Sequence, residues 1–538
     1  MKNIRKFLFN ALILCGVSLI MRTVSVSFNV YVSNAAGAEA MGLYSLLSSV
    51  YGFAITFATS GINITTVRMV AGALGRGNPA RARECLSKCA LYSLFFSGLA
   101  TVFLFFGADF IGRVLLSDVR TVRSLRLLSF TLIPISLASV FSGYFTAVRR
   151  VWKNAVIQMA EQAVRIFSVC FLLSLLLPRG VEFACMALAL GGAIAECGSC
   201  LISLIAFLHD KRRNLGGGTH CENGGAVTKE MLSTALPIAF SAYARSGLIS
   251  IEHMLIPIGL CKSGSSRQKS LAAYGTLHSM VLPIVLFPSA LIGSFSGLLV
   301  PELTECSARG NSRQVRYICE RVTQLSLLFS IGTAGVMICF SGELGSVIYP
   351  NADTSLYIKL LAPLIPIMYI DTTVDSMLKG LGEQFYCMAV NILDSLLSVI
   401  LVWLLLPRMG IEGYIVTIYI TELVNATFSI TRLITKSGMI PKLLKWVGKP
   451  LLCIVGATCM AHMLFTTVNL EMLPNWLCLT VHIAATVILY ALLLIGTCAF
   501  DREDIRWAWS ILRKDHIVNG TSHHPTKKSP ERLLKGER

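Results

Sequence analysis

Leu175-Leu176-Leu177-Pro178-Arg179 returns residue for residue as Leu404-Leu405-Leu406-Pro407-Arg408, 229 positions later. Two further matches precede it in the same order. Arg76-Gly77-Asn78 with Arg83 returns as Arg309-Gly310-Asn311 with Arg316, and Leu94 with Ser97 returns as Leu327 with Ser330, all at an offset of 233. Leu132-Ile133-Pro134-Ile135 returns as Leu364-Ile365-Pro366-Ile367 at an offset of 232. Short apolar matches arise by chance, but three anchors in order at nearly constant spacing point to an internal duplication.

Around these anchors, apolar stretches of about twenty residues recur from Phe7 to Phe500, each long enough to cross a hydrocarbon core. Hydrophobic residues make up 54% of the 538 and charged ones 14%, against about a quarter charged in soluble domains. A chain so immersed in lipid must satisfy its backbone polar groups within helices. The expected fold is therefore an all-α polytopic membrane protein with about fourteen transmembrane helices. Spans at 7–31, 42–66, 88–107, 124–147, 154–177 and 184–208 form an N-lobe over 1–208. The glycine-rich stretch 209–230 reads as a cytoplasmic linker. Spans at 231–259, 271–300, 321–340, 357–379, 387–406 and 413–433 form a C-lobe over 231–435. Two extra helices, 450–468 and 477–498, occupy 436–500, and 501–538 is a basic cytoplasmic tail. An even number of spans per repeat makes both copies enter from one side, related by an axis along the membrane normal, with a cavity between them.

A net charge of +18 raises the question of a nucleic-acid partner, and the placement of the charges answers it. Lys and Arg gather in alternate loops: Arg76, Arg81, Arg83 and Lys88; Arg149, Arg150 and Lys153; Arg309, Arg313 and Arg316; and Arg432, Lys436, Lys442 and Lys445. The opposite loops hold fewer, chiefly Arg113, Arg120, Arg123, Arg126, Lys262, Arg267 and Lys269. The positive-inside rule then puts both termini in the cytoplasm, with the basic tail against anionic headgroups and no nucleic acid involved. The apolar N-terminus lacks a small-residue cleavage site and reads as a retained first helix. Seventeen cysteines lie mostly in apolar spans as small hydrophobes, and the lone Cys197-x-x-Cys200 is packing rather than a metal or redox motif. No phosphate-binding G-x-x-x-x-G-K-[ST] pattern occurs, so no ATPase engine is visible.

The six-plus-six repeat, the R-G-N connection after the second span of each lobe, the L-L-L-P-R ends of the fifth and eleventh spans and the two extra spans resemble the polysaccharide transporter family of the multidrug/oligosaccharidyl-lipid/polysaccharide (MOP) flippase superfamily. The resemblance covers residues 1 to about 500. It implies a transporter, not an enzyme. Its work would be to flip an undecaprenyl-pyrophosphate-linked saccharide or peptidoglycan precursor outward across the bacterial cytoplasmic membrane, for cell-wall, spore-cortex or surface-polysaccharide synthesis.

A charge at mid-bilayer costs roughly 2.5 to 3.5 kcal/mol on insertion scales and needs a partner or a wet cavity. Arg22, Arg68, Arg165 and Arg245 are the intramembrane cations, and converging guanidinium forks suit pyrophosphate oxygens. Arg68 fits a snorkelling position equally well. Glu161 precedes Arg165 by one turn, an order that serves a structural pair as well as a substrate contact. Glu252 shares a helix face with Arg245 and either relays protons or balances that arginine, while His253 reads as a packing histidine. Asp371 and Asp375 are four apart, with Asn391 and Asp394 as further oxygen donors, so these four are the candidate coupling-ion or proton site for Na⁺ or H⁺. Glu196 and Glu422 are expected to be structural partners of arginines, and Pro283, Pro288, Pro363 and Pro366 to kink or break their helices.

No cofactor or bound metal is called for beyond a coupling ion; the partners are membrane lipids and the lipid-linked saccharide. A cation-coupled multidrug exporter of the same superfamily is the main alternative, but it would want acids rather than four arginines around its cavity. A membrane-embedded polymerase would need a sizeable outer loop, and every outer loop here is short. A scaffold for cell-wall synthesis proteins would have to dock through 501–538.

Overall fold

A computed structural model describes residues 2–59, 61–214, 224–350, 354–467 and 474–500, all of it helix, turn and loop. The tail 501–538 and residues 215–223 of the expected linker lie outside the described residues; the rest of that linker is helix, 209–214 ending one helix and 224–230 starting the next. The N-terminal half contains α1 (Lys2–Thr59), α2 (Ile62–Gly75), α3 (Pro79–Phe110), α4 (Thr121–Ser129), α5 (Leu132–Ala147), α6 (Val151–Leu176) and α7 (Val181–Asn214). The C-terminal half follows with α8 (Gly224–Lys262), α9 (Arg267–Gly275), α10 (Leu282–Leu286), α11 (Ser289–Ala308), α12 (Ser312–Cys339), α13 (Ser341–Ile348), α14 (Ser355–Leu361), α15 (Ile365–Gly380), α16 (Gln384–Met409) and α17 (Ile411–Ser437). Two more, α18 (Lys449–Thr467) and α19 (Asn475–Gly496), pack on each other and on α12.

Among the described residues, ten helices are long and apolar enough to cross a membrane, or eleven if the bent pair α4–α5 counts as one span. The expected fourteen are not reached, for three local reasons. The first two spans join into α1, about 87 Å of helix at 1.5 Å per residue, interrupted only where Gly37 takes φ 81° and ψ 166°. The seventh, α8, carries Arg245, Glu252 and His253, too polar for lipid contact on all sides. The eighth is broken into α9, a wide π-helical turn at Thr276–Val281, α10 and α11, with Pro283 and Pro288 at the joints. Pro363 likewise sits in the tight turn Ala362–Leu364 that separates α14 from α15.

The repeated motifs build the same local structure twice. In each R-G-N connection the glycine takes a left-handed φ (71° at Gly77, 68° at Gly310) that a side chain would resist. The following asparagine then caps the next helix, Asn78 accepting from the Arg81 amide and Asn311 from the Gln314 amide. The L-L-L-P-R copies diverge: the first leaves α6 into a tight turn at Leu177–Arg179, whereas the second stays helical to Met409.

Large apolar side chains such as Phe95, Phe103, Phe106, Phe167, Phe240 and Leu452 are exposed on the outside, as lipid contact requires. The interior holds a different pattern. Around the first R-G-N connection, Met69, Cys85, Phe141, Tyr144, Phe207 and Ala235 form one core; around the second, Val315, Cys319, Val374, Met377 and Leu433 form another. At the far end a single core draws on both halves, joining Leu46, Leu125 and Leu132 to Tyr274, Ile365 and Leu406. Polar contacts reinforce that junction. Arg120 reaches Glu39 at 2.9 Å, Gln268 donates to the same carboxylate at 2.9 Å, and Arg267 donates to the Leu116 carbonyl. Asn29 and Asn34 of α1 donate to the Ser279 and Ile348 carbonyls of the C-terminal half. The halves are thus fused at the far end and have separate cores at the R-G-N end.

Candidate functional site

Helix α8 runs along the seam between the halves. Its first part belongs with the N-terminal half: Glu230 pairs with Arg81 at 2.8 Å, Tyr243 donates to the Phe57 carbonyl at 3.3 Å, and Ser246 meets Thr56 at 3.1 Å. Its last part turns to the other half, with Glu252 beside Ser398 and Gly259 against Leu406. Arg245 stands between these attachments. It is exposed, has no ion-pair or hydrogen-bond partner among the described residues, and its charge bears on Asp371 of α15 and Asp394 of α16. An arginine held to one half by its neighbours and facing carboxylates of the other lies in the space between them.

Arg22 in the first segment of α1 and Arg68 in α2 are likewise exposed and without an ion-pair partner among the described residues. Arg165 differs. Its guanidinium contacts Glu161 and Glu196, each at 2.9 Å, so its charge is answered by two acids within the N-terminal half. The structure therefore separates the four arginines into one neutralised cation, Arg165, and three unpaired ones. An unpaired guanidinium in a membrane helix is tolerable only beside water or an anion.

The four coupling-ion candidates do not converge on one coordination shell. Asp371 accepts from Asn425 at 3.1 Å and leaves its other oxygen buried without a partner. Asp375 pairs instead with Lys379 at 2.5 Å, and Asn391 donates to its own helix at the Cys387 carbonyl at 2.8 Å. No three His, Cys, Asp or Glu side chains stand close enough to hold a metal ion among the described residues. Asp371 feels Asp375 and, less strongly, Asp394; Glu422 feels Asp371 and Asp394, and Glu252 also feels Asp394. Glu196 has its expected arginine, but Glu422 has none; its charged neighbours are the two aspartates, because α17 turns it toward α15 rather than toward a basic helix. His253 is satisfied as a packing residue by the Tyr274 hydroxyl at 2.8 Å, with His278 beside both rings.

Sequence reasoning missed the far-end cross-links. Glu39 and Gln268 lie outside the apolar spans and fit no motif, so only the fold shows that they meet. Asn425 was equally invisible, being one polar residue in an ordinary amphipathic helix.

A family model described as "Polysaccharide biosynthesis protein" matches residues 7–306, more than half of the chain. The chain belongs to this family. A second model, MatE, matches residues 263–404. Among curated relatives, stage V sporulation protein B of Bacillus subtilis (strain 168) is 26% identical over 415 residues, covering 76% of this chain and 79% of that protein. The lipid II flippase MurJ of the same organism is 21% identical over 455 residues, covering 79% and 83%. Among solved structures, an inward-closed lipid II flippase MurJ superposes with a TM-score of 0.69 at 13% identity over 92% of this chain and all of that one. An inward-facing multidrug-resistance MATE transporter superposes with a TM-score of 0.63 at 14% identity over 79% and 98%. The chain is thus a multi-pass membrane transporter of the MOP superfamily.

Proposed function

We propose that this family member is an alternating-access flippase that moves a lipid-pyrophosphate-linked saccharide, such as an undecaprenyl-linked peptidoglycan or surface-polysaccharide precursor, outward across a bacterial cytoplasmic membrane. The observation that carries the reading is Arg245: an unpaired guanidinium in the seam, anchored through α8 to one half and facing the other. With Arg22 and Arg68 it supplies forked donors for pyrophosphate oxygens. In this reading the R-G-N end and both termini face the cytoplasm, following the excess of Arg and Lys there. Separate cores at that end and a shared core at the far end then correspond to a carrier open inward. The headgroup enters between the halves while its isoprenoid tail stays in lipid, and rocking exposes it on the other side. A negative-inside potential favours outward movement of an anion by about 2.3 kcal/mol per charge per 100 mV.

The names of the relatives support a cell-wall or spore-envelope precursor as cargo, with stage V sporulation protein B and lipid II flippase both in the set. Asp371 and Asp394, which feel Arg245, and Glu422 and Glu252, which feel those aspartates, leave room for a coupling proton or Na⁺ on the return step. The same acids are what a cation-coupled drug exporter would use, and the MatE match over 263–404 is the observation that keeps that second reading open.

The test is reconstitution in liposomes with a fluorescent lipid-pyrophosphate saccharide. Wild type should flip it, and Arg22→Ala and Arg245→Ala should each lower the initial rate at least tenfold. Equal rates for all three, or no flipping above empty vesicles, would overturn the reading; extrusion of a cationic dye by the same vesicles would favour the exporter. An Asp371→Asn variant with unchanged dependence on Na⁺ and pH would remove the coupling role of that residue.

A further inference from the structure

The duplicated R-G-N connections are alike in backbone but differ in electrostatics. In the second copy two arginines are answered locally, Arg309 by Glu305 at 2.5 Å and Arg316 by Glu320 at 2.8 Å, each one turn away. In the first copy Arg68 and Arg76 have no ion-pair partner among the described residues, and Arg81 reaches away from its own helix to Glu230 of α8. These three arginines and Glu230, with Gly72 and Cys85, line a cavity of about 290 Å³. Glu84 bears electrostatically on Cys85 but does not line the cavity, so the lining carries three cations against one anion.

A polar recess with surplus guanidinium groups at the mouth of a membrane transporter is built for an anion with several oxygens. Guanidinium forks bind phosphate oxygens two at a time, and the recess is too small for a saccharide with its carrier. We propose that this cavity binds a phosphate or diphosphate group, free or on a lipid headgroup, between Arg68, Arg76 and Arg81, and that the anion replaces Glu230 on Arg81. Losing that pair removes the polar tie between the start of α8 and α3, leaving the packing of Val227 and Met231 to hold it. Because α8 also carries Arg245 into the seam, an anion arriving at the mouth loosens the helix that holds the deeper cation. The site shares Arg68 with the transport reading but needs no transport to be detected.

The experiment uses the full chain in nanodiscs of zwitterionic lipid, titrated calorimetrically with inorganic pyrophosphate. Arg76→Gln should weaken binding at least tenfold. Glu230→Gln, which removes the internal competitor, should tighten it severalfold, a gain that misfolding cannot produce. Hydrogen exchange at the start of α8 should rise severalfold when pyrophosphate binds to wild type and be raised already in Glu230→Gln without ligand. Adding phosphatidylglycerol to the nanodiscs separates the sources: loss of pyrophosphate affinity assigns the site to lipid headgroups, and unchanged affinity assigns it to the diphosphate. Absence of binding to wild type, or wild-type affinity in both Arg76→Gln and Glu230→Gln, overturns the proposal. In the latter case the anion is held elsewhere, and loss of binding in Arg22→Gln or Arg245→Gln would leave the transport reading standing without this site.

Discussion

Replacing Gly42 with alanine should drive the halves apart at their fused end. A Cβ built on Gly42 of α1 would lie 1.9 Å from the Leu271 carbonyl oxygen of α9, and one on Gly275 would lie 2.1 Å from the Ala38 oxygen. These are backbone atoms on both sides, so no side chain can rotate out of the way. A carbon rests against a carbonyl oxygen at about 3.3 Å. The two helices must therefore part by roughly 1.4 Å or lose their register. Overpacking of this kind costs about 1–3 kcal/mol. The penalty applies only to the state in which α1 and α9 touch, so the ratio of far-end-closed to far-end-open molecules should fall by about 5- to 150-fold. Pulsed spin-label distances between Arg123→Cys of α4 and Lys269→Cys of α9, in a background freed of the seventeen native cysteines, would read that shift as a new, longer component. Gly52→Ala is the control, being a glycine of the same helix with nothing within 4 Å of the added carbon. If Gly42→Ala gave the same distance distribution as Gly52→Ala, the close approach would carry no weight in the equilibrium.

Other positions make separate demands. Asp210 is buried and receives both Arg150 and Lys153, so Asp210→Asn should cost about 3 kcal/mol of stability by leaving two cations unanswered, measured as a lowered melting midpoint in detergent. A normal midpoint would mean the cations find water instead. Outside the spans, Lys436 and Arg432 hold the Glu383 carboxyl below the usual glutamate range. A lowered folded value stabilises fully above about pH 4.3 and is lost as pH falls through the folded value, so the stability gap between wild type and Glu383→Gln should narrow below about pH 4. A gap that stays constant from pH 7 to 3 would refute the assignment.

The helical membrane fold was legible because the bilayer enforces apolar length, and the duplication because its motif anchors recur in order at nearly constant spacing. The count was less legible because length and hydropathy cannot see Gly37 joining two spans into α1, nor a π-helical turn at Thr276–Val281 breaking another. Among the site residues, the pairing of Glu161 with Arg165 followed from one-turn spacing, and the addition of Glu196 needed only the packing of α6 on α7. The same spacing rule was incomplete at Asp371 and Asp375, which do bear on each other electrostatically. Two acids four apart do share a face, but Lys379, a further turn along, draws the second one away. What no pattern revealed was which arginines stay unpaired, because pairing depends on helices distant in sequence: Arg81 finds Glu230 149 residues later, and Arg165 finds Glu196 31 residues later.

The fused end is held by two kinds of contact of unequal strength, and their ranking can be tested. The link from Arg120 to Glu39 is 32% exposed on the arginine side and 18% on the glutamate side, and partly exposed pairs contribute about 1 kcal/mol. Removing it therefore shifts the equilibrium by roughly fivefold at most. The glycine contact between α1 and α9 lies against a continuous core that includes Leu43, Leu46, Leu271 and Tyr274, all of them fully buried, where a misfit cannot be relieved by water. The charges thus orient the closed end, while close packing of backbone on backbone sets its stability. Glu39→Gln should then populate the longer spin-label distance less than Gly42→Ala does, and the two changes together should fall short of additive, since the positions lie one turn apart on α1 and both act against α9. A Glu39→Gln effect larger than that of Gly42→Ala would reverse the ranking and make the ion pair, not the helix crossing, the element that opens and closes this end.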